Sequence, residues 1–485
     1  MKLKLLPLTA LTLTLSLLPQ VHATPYKNET PITFKAHSGE TTDAYEGHFF
    51  VPENRAKPNS RLIRVDYVRF PALNEAKGYP TVYLSGGPGG SGIGTAQARR
   101  YPMFQAMREF GDVIALDQRG TGRSQRAPRC ESNYRVPLDK VVSQQQIVES
   151  YRNAAEQCFA NWQEQGWDIH GYTTEQNALD LESLRQHLNA KKVNLWGISY
   201  GSHLAMAAMR NIPDALNKVI IASAEGLDQT VKLPAQTNQY FQSVQSIIDQ
   251  QPLGKDVTDL PQLMRSVHEK LLKQPIALSV TTQQGGELSI LFQPHHIQML
   301  ASMMIADPNQ YVAMLVQMYR ELDQGKTTVI EYILQQGVFN NQPIGFDLMP
   351  LAMDVASGMS PARATQVDEQ LKSALLGQWL NFPMPALNRI DTDLDLGDDF
   401  RAPLTSNVPT LLFTGTLDGR TYPQEQTEAV AGLSQLTQIT VKHAGHNLYM
   451  SSPEVFERMR AFMLDKPVDQ TAIELPLPDL AFKPQ

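Results

Sequence analysis

The residues Trp196-Gly197-Ile198-Ser199-Tyr200-Gly201 follow directly on the apolar run Val193-Asn194-Leu195. A buried strand that ends in G-x-S-x-G turns into a helix so sharply that the serine's own backbone is strained. The glycines two residues either side of Ser199 remove the Cβ atoms that would hold strand and helix apart. Such a turn demands a strand before it, a helix after it and a sheet beside it. It lifts the serine hydroxyl clear of that sheet, within reach of a base and a substrate.

The rest of the chain supplies the sheet. Tyr45 to Val51 and Leu62 to Phe70 alternate polar and apolar positions, as strands with one solvated face do. Thr81 to Leu84, Val113 to Leu116, Val193 to Trp196 and Val219 to Ala222 are short apolar runs without alternation. That is the pattern of central strands covered on both faces. Thr174 to Leu188 reads as a helix with Ala178, Leu181, Leu184 and Leu188 on one face and Thr174 as N-cap. Strands alternating with helices predict a mostly parallel α/β sheet.

From about residue 227 to 400 the alternation stops and helical patterns dominate. Tyr311, Leu315, Met318 and Leu322 form one apolar stripe, and Ala277 to Phe292, with Gly285-Gly286 in its middle, reads as a hairpin. Pro409 to Phe413 and Gln438 to Val441 then resume the sheet. The predicted organisation is a signal peptide (1–23), a first core part (24–226), a helical lid (227–400) between the sixth and seventh core strands, and a second core part (401–485). The proline-rich tail from Thr471 is expected to lie as an extended strap or to fray.

A serine hydroxyl is a weak nucleophile near neutral pH and needs a base oriented by a third group. Asp418, in Gly415-Thr416-Leu417-Asp418-Gly419 after one resumed strand, and His446, in His443-Ala444-Gly445-His446-Asn447 after the next, follow Ser199 in the order this turn requires. His443, nearer its strand, reads as a packing residue. Asp391, Asp393 and Asp395 read as solvated or capping residues, and so does Asp354, although it stands where it could also face the cleft. The run Ser85-Gly86-Gly87-Pro88-Gly89-Gly90-Ser91-Gly92 follows the strand Thr81 to Leu84. An N–H from Gly86 or Gly87, with the N–H of Tyr200, would form an oxyanion hole. The same run matches the dinucleotide fingerprint G-x-G-x-x-G. Pro88 removes an N–H that a pyrophosphate needs, and no following strand ends in an acid at the ribose distance, so no cofactor is expected; two cysteines without histidines at ligand spacing make a poor zinc site, so no metal is expected either. Asp117-Gln118-Arg119-Gly120-Thr121-Gly122 reads as a structural turn held by charge-assisted hydrogen bonds.

Lys2 and Lys4 before the uncharged stretch Leu5 to Leu18, then Val21-His22-Ala23, have the form of a secretory signal peptide with cleavage expected after Ala23. Export, to a periplasm or beyond the cell, is the expected localisation, and no later segment is apolar for long enough to span a bilayer. The net charge of −7 becomes −9 without those two lysines, which argues against a nucleic-acid partner. In an exported chain the two cysteines, Cys130 and Cys158, are expected to form a disulfide worth roughly 3 kcal/mol. Nothing in the sequence sets an oligomeric state.

SGGPGGSG, DQRGTGRS, TTEQNALDLESLRQHLNAKKVNLWGISYGS, GTLDGRT and HAGHN occur in one order. As a set they resemble the α/β-hydrolase family that holds the proline iminopeptidases and the secreted tripeptidyl-aminopeptidase-like serine peptidases. Ser85, where iminopeptidases carry histidine, leans toward the tripeptidyl branch. The resemblance implies an α/β-hydrolase fold, Ser199 as nucleophile, His446 as base and Asp418 as its orienting acid. It also implies small peptide substrates whose free amino terminus meets acidic groups near the lid. Glu225 stands where it would either face that terminus or cap the lid's first segment. The expected activity is an exopeptidase working through an acyl-enzyme, with a carboxylesterase or lipase-like hydrolase as the alternative.

Overall fold

The unalternating runs form the middle of one sheet because apolar side chains are buried on both of its faces. The computed structural model describes residues 24–73 and 78–482; the expected signal peptide and its cleavage point after Ala23 lie outside them. Ten strands make the sheet: β1 (Glu29–Lys35), β2 (Thr41–Pro52), β3 (Leu62–Phe70), β4 (Thr81–Leu84), β5 (Val113–Leu116), β6 (Val193–Ser199), β7 (Leu216–Ala224), β8 (Thr410–Gly415), β9 (Leu436–Lys442) and β10 (Ala472–Glu474). Their spatial order is β1-β2-β3-β5-β4-β6-β7-β8-β9-β10. The pairings from β1 to β5 are antiparallel, and every pairing from β5 to β10 is parallel. Side chains alternate between faces along each strand. Thus Val82, Leu84, Leu195 and Ile221 enter one apolar cluster, while Tyr83, Trp196, Ile198 and Ile220 enter another.

Three local expectations change, and a fourth is resolved. The helix Thr174–His187 is capped by Thr173, whose hydroxyl accepts from the Gln176 N–H; Thr174 is buried inside the first turn. Tyr311 lies in the turn before the helix Ala313–Asp323 and is exposed, so only Leu315, Met318 and Leu322 face the core. β1, shallowly buried, carries no apolar run in the sequence and shifts the count: the helical insert follows the seventh strand of the sheet. The tail takes the extended form of its two expected states: it forms β10 in register with β9, and His443 Nδ1 lies 2.7 Å from Leu475 O beside it.

The chain between β7 and β8 adds no strand to this sheet. It holds the expected hairpin (Ile276–Thr281 with Glu287–Phe292) and helices with an apolar cluster of their own, including Phe241, Met264, Leu300 and Leu315. Leu417 and Tyr422, from the loop after β8, join that cluster and tie the insert to the carboxyl ends of the strands. A disulfide joins Cys130 to Cys158 on the helix Gln144–Glu164. Among the described residues, no helix is long and apolar enough to cross a membrane.

Candidate active site

Ser199 ends β6 with φ 56° and ψ −129°, and the next residue opens the helix Tyr200–Asn211. A non-glycine residue in such a region costs about 1–3 kcal/mol, and the surrounding packing must hold it there. A Cβ on Gly201 would stand 2.1 Å from Leu84 O, and one on Gly197 would stand 2.5 Å from Gly201 O. No other residue fits this crossing. Ser199 keeps partial exposure while Ile198 and Tyr200 on either side are buried.

Asp418 follows β8 and is 1 % exposed. Its carboxylate accepts from the backbone N–H groups of Arg420 and Thr421, both at 2.9 Å, and from Thr421 Oγ1 at 2.7 Å. His446 Nδ1 lies 3.0 and 3.1 Å from its two oxygens. Burial pushes the Asp418 pKa up, but the His446 charge and these hydrogen bonds outweigh it and hold the carboxyl below its ordinary value. The His446 loop is fixed by its own backbone, which donates to Ala306 O at 2.8 Å and accepts from Ser223 Oγ at 2.8 Å. His446 and Ser199 line one open cleft of about 660 Å³. The three residues expected to act together therefore converge, each from the carboxyl end of a different strand.

Gly86 and Gly87 line the same cleft. A Cβ on Gly86 would lie 3.1 Å from Ser199 Cβ, so this loop runs directly against the serine. Tyr200 is the first residue of its helix, where the N–H lies ahead of the helical hydrogen bonds. Its side chain is buried, with Oη 3.2 Å from Thr174 Oγ1.

A second cavity of about 160 Å³ opens on Ser199 and is bounded by Gly87, Glu225, Lys232, Asp354 and Phe382. The β6–β7 register opposes Ser199 to Ala224, which sets Glu225 one residue beyond the nucleophile's neighbour. Ser202 Oγ links the two, donating to Ser199 O at 2.6 Å and accepting from Glu225 N at 2.9 Å. Lys232 Nζ donates to Glu225 Oε2 at 2.8 Å. Asp354, on the helix Leu348–Ser357, keeps part of its surface open to the cavity. Its pKa is pushed up to about 8 by burial and, next, by the Glu225 charge, with Lys232 opposing. Of the two places open to Asp354, solvated or capping and facing the cleft, the structure has the second, and Lys232 carries no sequence signal at all.

The remaining motifs are structural. Asp117 accepts from Ser91 Oγ, Ile93 N and Arg123 N, which ties the turn after β5 to the glycine loop. The wholly buried Arg119 donates to Asp180 and to Glu53 O. Asp391 caps Asp393 and Leu394, and Asp395 pairs with Arg401.

A family profile described as the alpha/beta hydrolase fold matches residues 79–453, a span that includes Ser199, Asp418 and His446. The chain belongs to the α/β-hydrolase family. Among curated relatives, this α/β-hydrolase is 28% identical over 192 residues to a tripeptidyl aminopeptidase of Streptomyces lividans, covering 36% of this chain and 34% of that one. It is 26% identical over 186 residues to the serine protease Hip1 of Mycobacterium tuberculosis (37% and 35%). It is 25% identical over 189 residues to a proline iminopeptidase of Arabidopsis thaliana (39% and 38%). Each match spans little more than a third of the relative's length.

Proposed function

We propose that this α/β-hydrolase is an exported serine aminopeptidase that removes single residues from the free amino end of short peptides. The observation that carries the reading is the acidic cavity on Ser199. Glu225 and Asp354 converge there with Lys232 as their one cationic neighbour among the lining residues apart from Arg420. A substrate ammonium entering between the two carboxylates gains charge-assisted hydrogen bonds, and Asp354 gives up its proton as it does so. Peptidase relatives support the same substrate class.

The spacing supports one residue per cut. Neighbouring strands lie about 4.8 Å apart, whereas three extended residues span about 10 Å. With Ser199 opposed to Ala224, Glu225 stands about one residue away from the nucleophile. The cavity's volume of about 160 Å³ also suits one residue better than three.

In the reaction, Ser199 Oγ attacks the scissile carbonyl carbon and His446 Nε2 takes the hydroxyl proton. Asp418 holds the Nδ1–H and stabilises the imidazolium. The N–H of Tyr200 and that of Gly86 or Gly87 receive the oxyanion, each donor contributing about 3 kcal/mol. The C–N bond then breaks, His446 gives its proton to the leaving nitrogen, and the acyl group remains as an ester on Ser199. Water, deprotonated by His446, attacks that ester, and Ser199 regains its proton as the free residue departs. Residues 227–400 act as the lid that admits short peptides and excludes folded chains. The signal-like pattern at residues 1–23 and the Cys130–Cys158 pair support export.

Mass analysis of a mixed peptide digest tests the reading. Single residues released from free but not N-acetylated termini are expected. Tripeptide products would overturn the one-residue spacing, equal cleavage of acetylated peptides would overturn the aminopeptidase, and turnover of esters alone would favour the carboxylesterase.

A further inference from the structure

The two cavities that meet at Ser199 differ in their charged groups: one holds carboxyls beside cations, the other cations alone. The smaller, acid-bearing one holds Glu225 and Asp354 with Lys232 and Arg420. The open cleft of about 660 Å³ on the other side is lined by Arg99, Arg100 and Arg420 and by no aspartate or glutamate. Arg420 lines both.

Among the described residues, none of the three guanidiniums pairs with a carboxylate. Arg100 is 8 % exposed, and its guanidinium donates only to neutral acceptors, Tyr83 Oη and, at 3.2 Å, Asn447 Oδ1. Arg420 Nη1 donates to Ser302 O at 3.2 Å. Arg99 is exposed at the cleft's edge. Of the three, Arg100 is the buried one, and a buried cation without an anion is costly.

The cleft's direction follows from the proton. His446 and Asn447 line the arginine cleft and not the acidic cavity. His446 delivers its proton to the leaving nitrogen, so the leaving peptide extends along the arginine side while the acyl residue occupies the acidic side. Resting on the aminopeptidase reading, we infer that Arg99, Arg100 and Arg420 form a carboxylate-binding arm for the leaving peptide. The preferred substrates are accordingly short peptides that present an ammonium at one end and a carboxylate shortly after the scissile bond. Two sources supply that carboxylate: the α-carboxylate of a di- or tripeptide, or an acidic side chain near the cut.

The test compares kcat/KM of the wild-type chain on Ala-Ala-Ala, its C-terminal amide, and the amide of Ala-Glu-Ala, with alanyl-coumarylamide as a substrate that has no carboxylate. The free acid is expected to exceed its amide by about tenfold, the scale of one charge-assisted hydrogen bond in a partly desolvated cleft. The advantage should shrink as salt rises and fall toward unity in Arg99→Gln and in Arg420→Gln, the second of which keeps the Arg420 backbone N–H that holds Asp418. If the Ala-Glu-Ala amide regains the free-acid rate, a side-chain carboxylate serves; if it stays at the amide rate, the arm reads the chain end. Equal kcat/KM on all three peptides would overturn the arm and leave the aminopeptidase intact. Failure to cut any peptide or the coumarylamide, with ester turnover retained, would overturn the aminopeptidase and the arm with it.

Discussion

Replacing Asp354 by asparagine should make the protein more stable and less active. The Asp354 carboxyl has a folded pKa of about 8, mainly from burial and then from Glu225. An unfolded aspartate titrates near 3.9. The folded state therefore binds the proton more tightly, so this group's contribution to stability is fully present below about pH 4 and is lost as pH rises toward 8. At pH 7 the shift corresponds to a ceiling of about 4 kcal/mol. Asp354 keeps part of its surface open to the cavity, where water relaxes around the charge, and about 2 kcal/mol is the expected gain in Asp354→Asn. Asparagine is neutral throughout, so the gain should vanish near pH 4 and grow through pH 8. Thermal melts at pH 4, 6 and 8 read this as an advantage of roughly 2–4 °C at pH 8. On the same protein, kcat/KM for free-amine peptides should fall about tenfold while ester turnover changes little. A variant that melts with the wild-type pH slope would refute the buried, protonated carboxyl. Unchanged discrimination between free and acetylated peptides would refute its role in binding the ammonium.

Three further perturbations follow from the geometry. Asp418→Asn leaves the buried contacts in place but removes the charge that orients His446, and kcat should drop about 10³–10⁴-fold in steady-state assays with little change in KM. Gly86→Ala brings a methyl within 3.1 Å of Ser199 Cβ and 3.0 Å of Ile198 O, so a fluorophosphonate probe should label Ser199 at a reduced rate in a chain that still folds; labelling at the wild-type rate would put the glycine loop elsewhere. Cys130→Ser with Cys158→Ser opens a loop of 28 residues and should lower stability by about 3 kcal/mol in denaturant titration, with kcat unaffected because neither sulfur lies near the cleft.

The meeting of Ser199, Asp418 and His446 was legible because each is announced by its neighbours. Gly197 and Gly201 mark Ser199, the strand before Asp418 marks its loop, and Ala444-Gly445 marks His446. The shallow strand β1 gave little signal, since a surface strand need not carry a long apolar run. Asp354 could not be separated from a capping aspartate by local pattern. It lies on a helix of the insert, and only the packing of that helix against the helices Thr174–His187 and Tyr200–Asn211 brings it to the serine.

What the sequence determined by itself is the chemistry that a strand–turn–helix, a glycine loop and an ordered acid and histidine can perform. These are local devices, in which the backbone conformation and the reacting side chain are specified within a few residues. Only the tertiary structure decided the charge of the two cavities. Glu225 and Lys232, Asp354, Arg99 and Arg100, and Arg420 come from four separate parts of the chain. Their fields combine only across space, at the carboxyl edge of the sheet where the insert closes over Ser199.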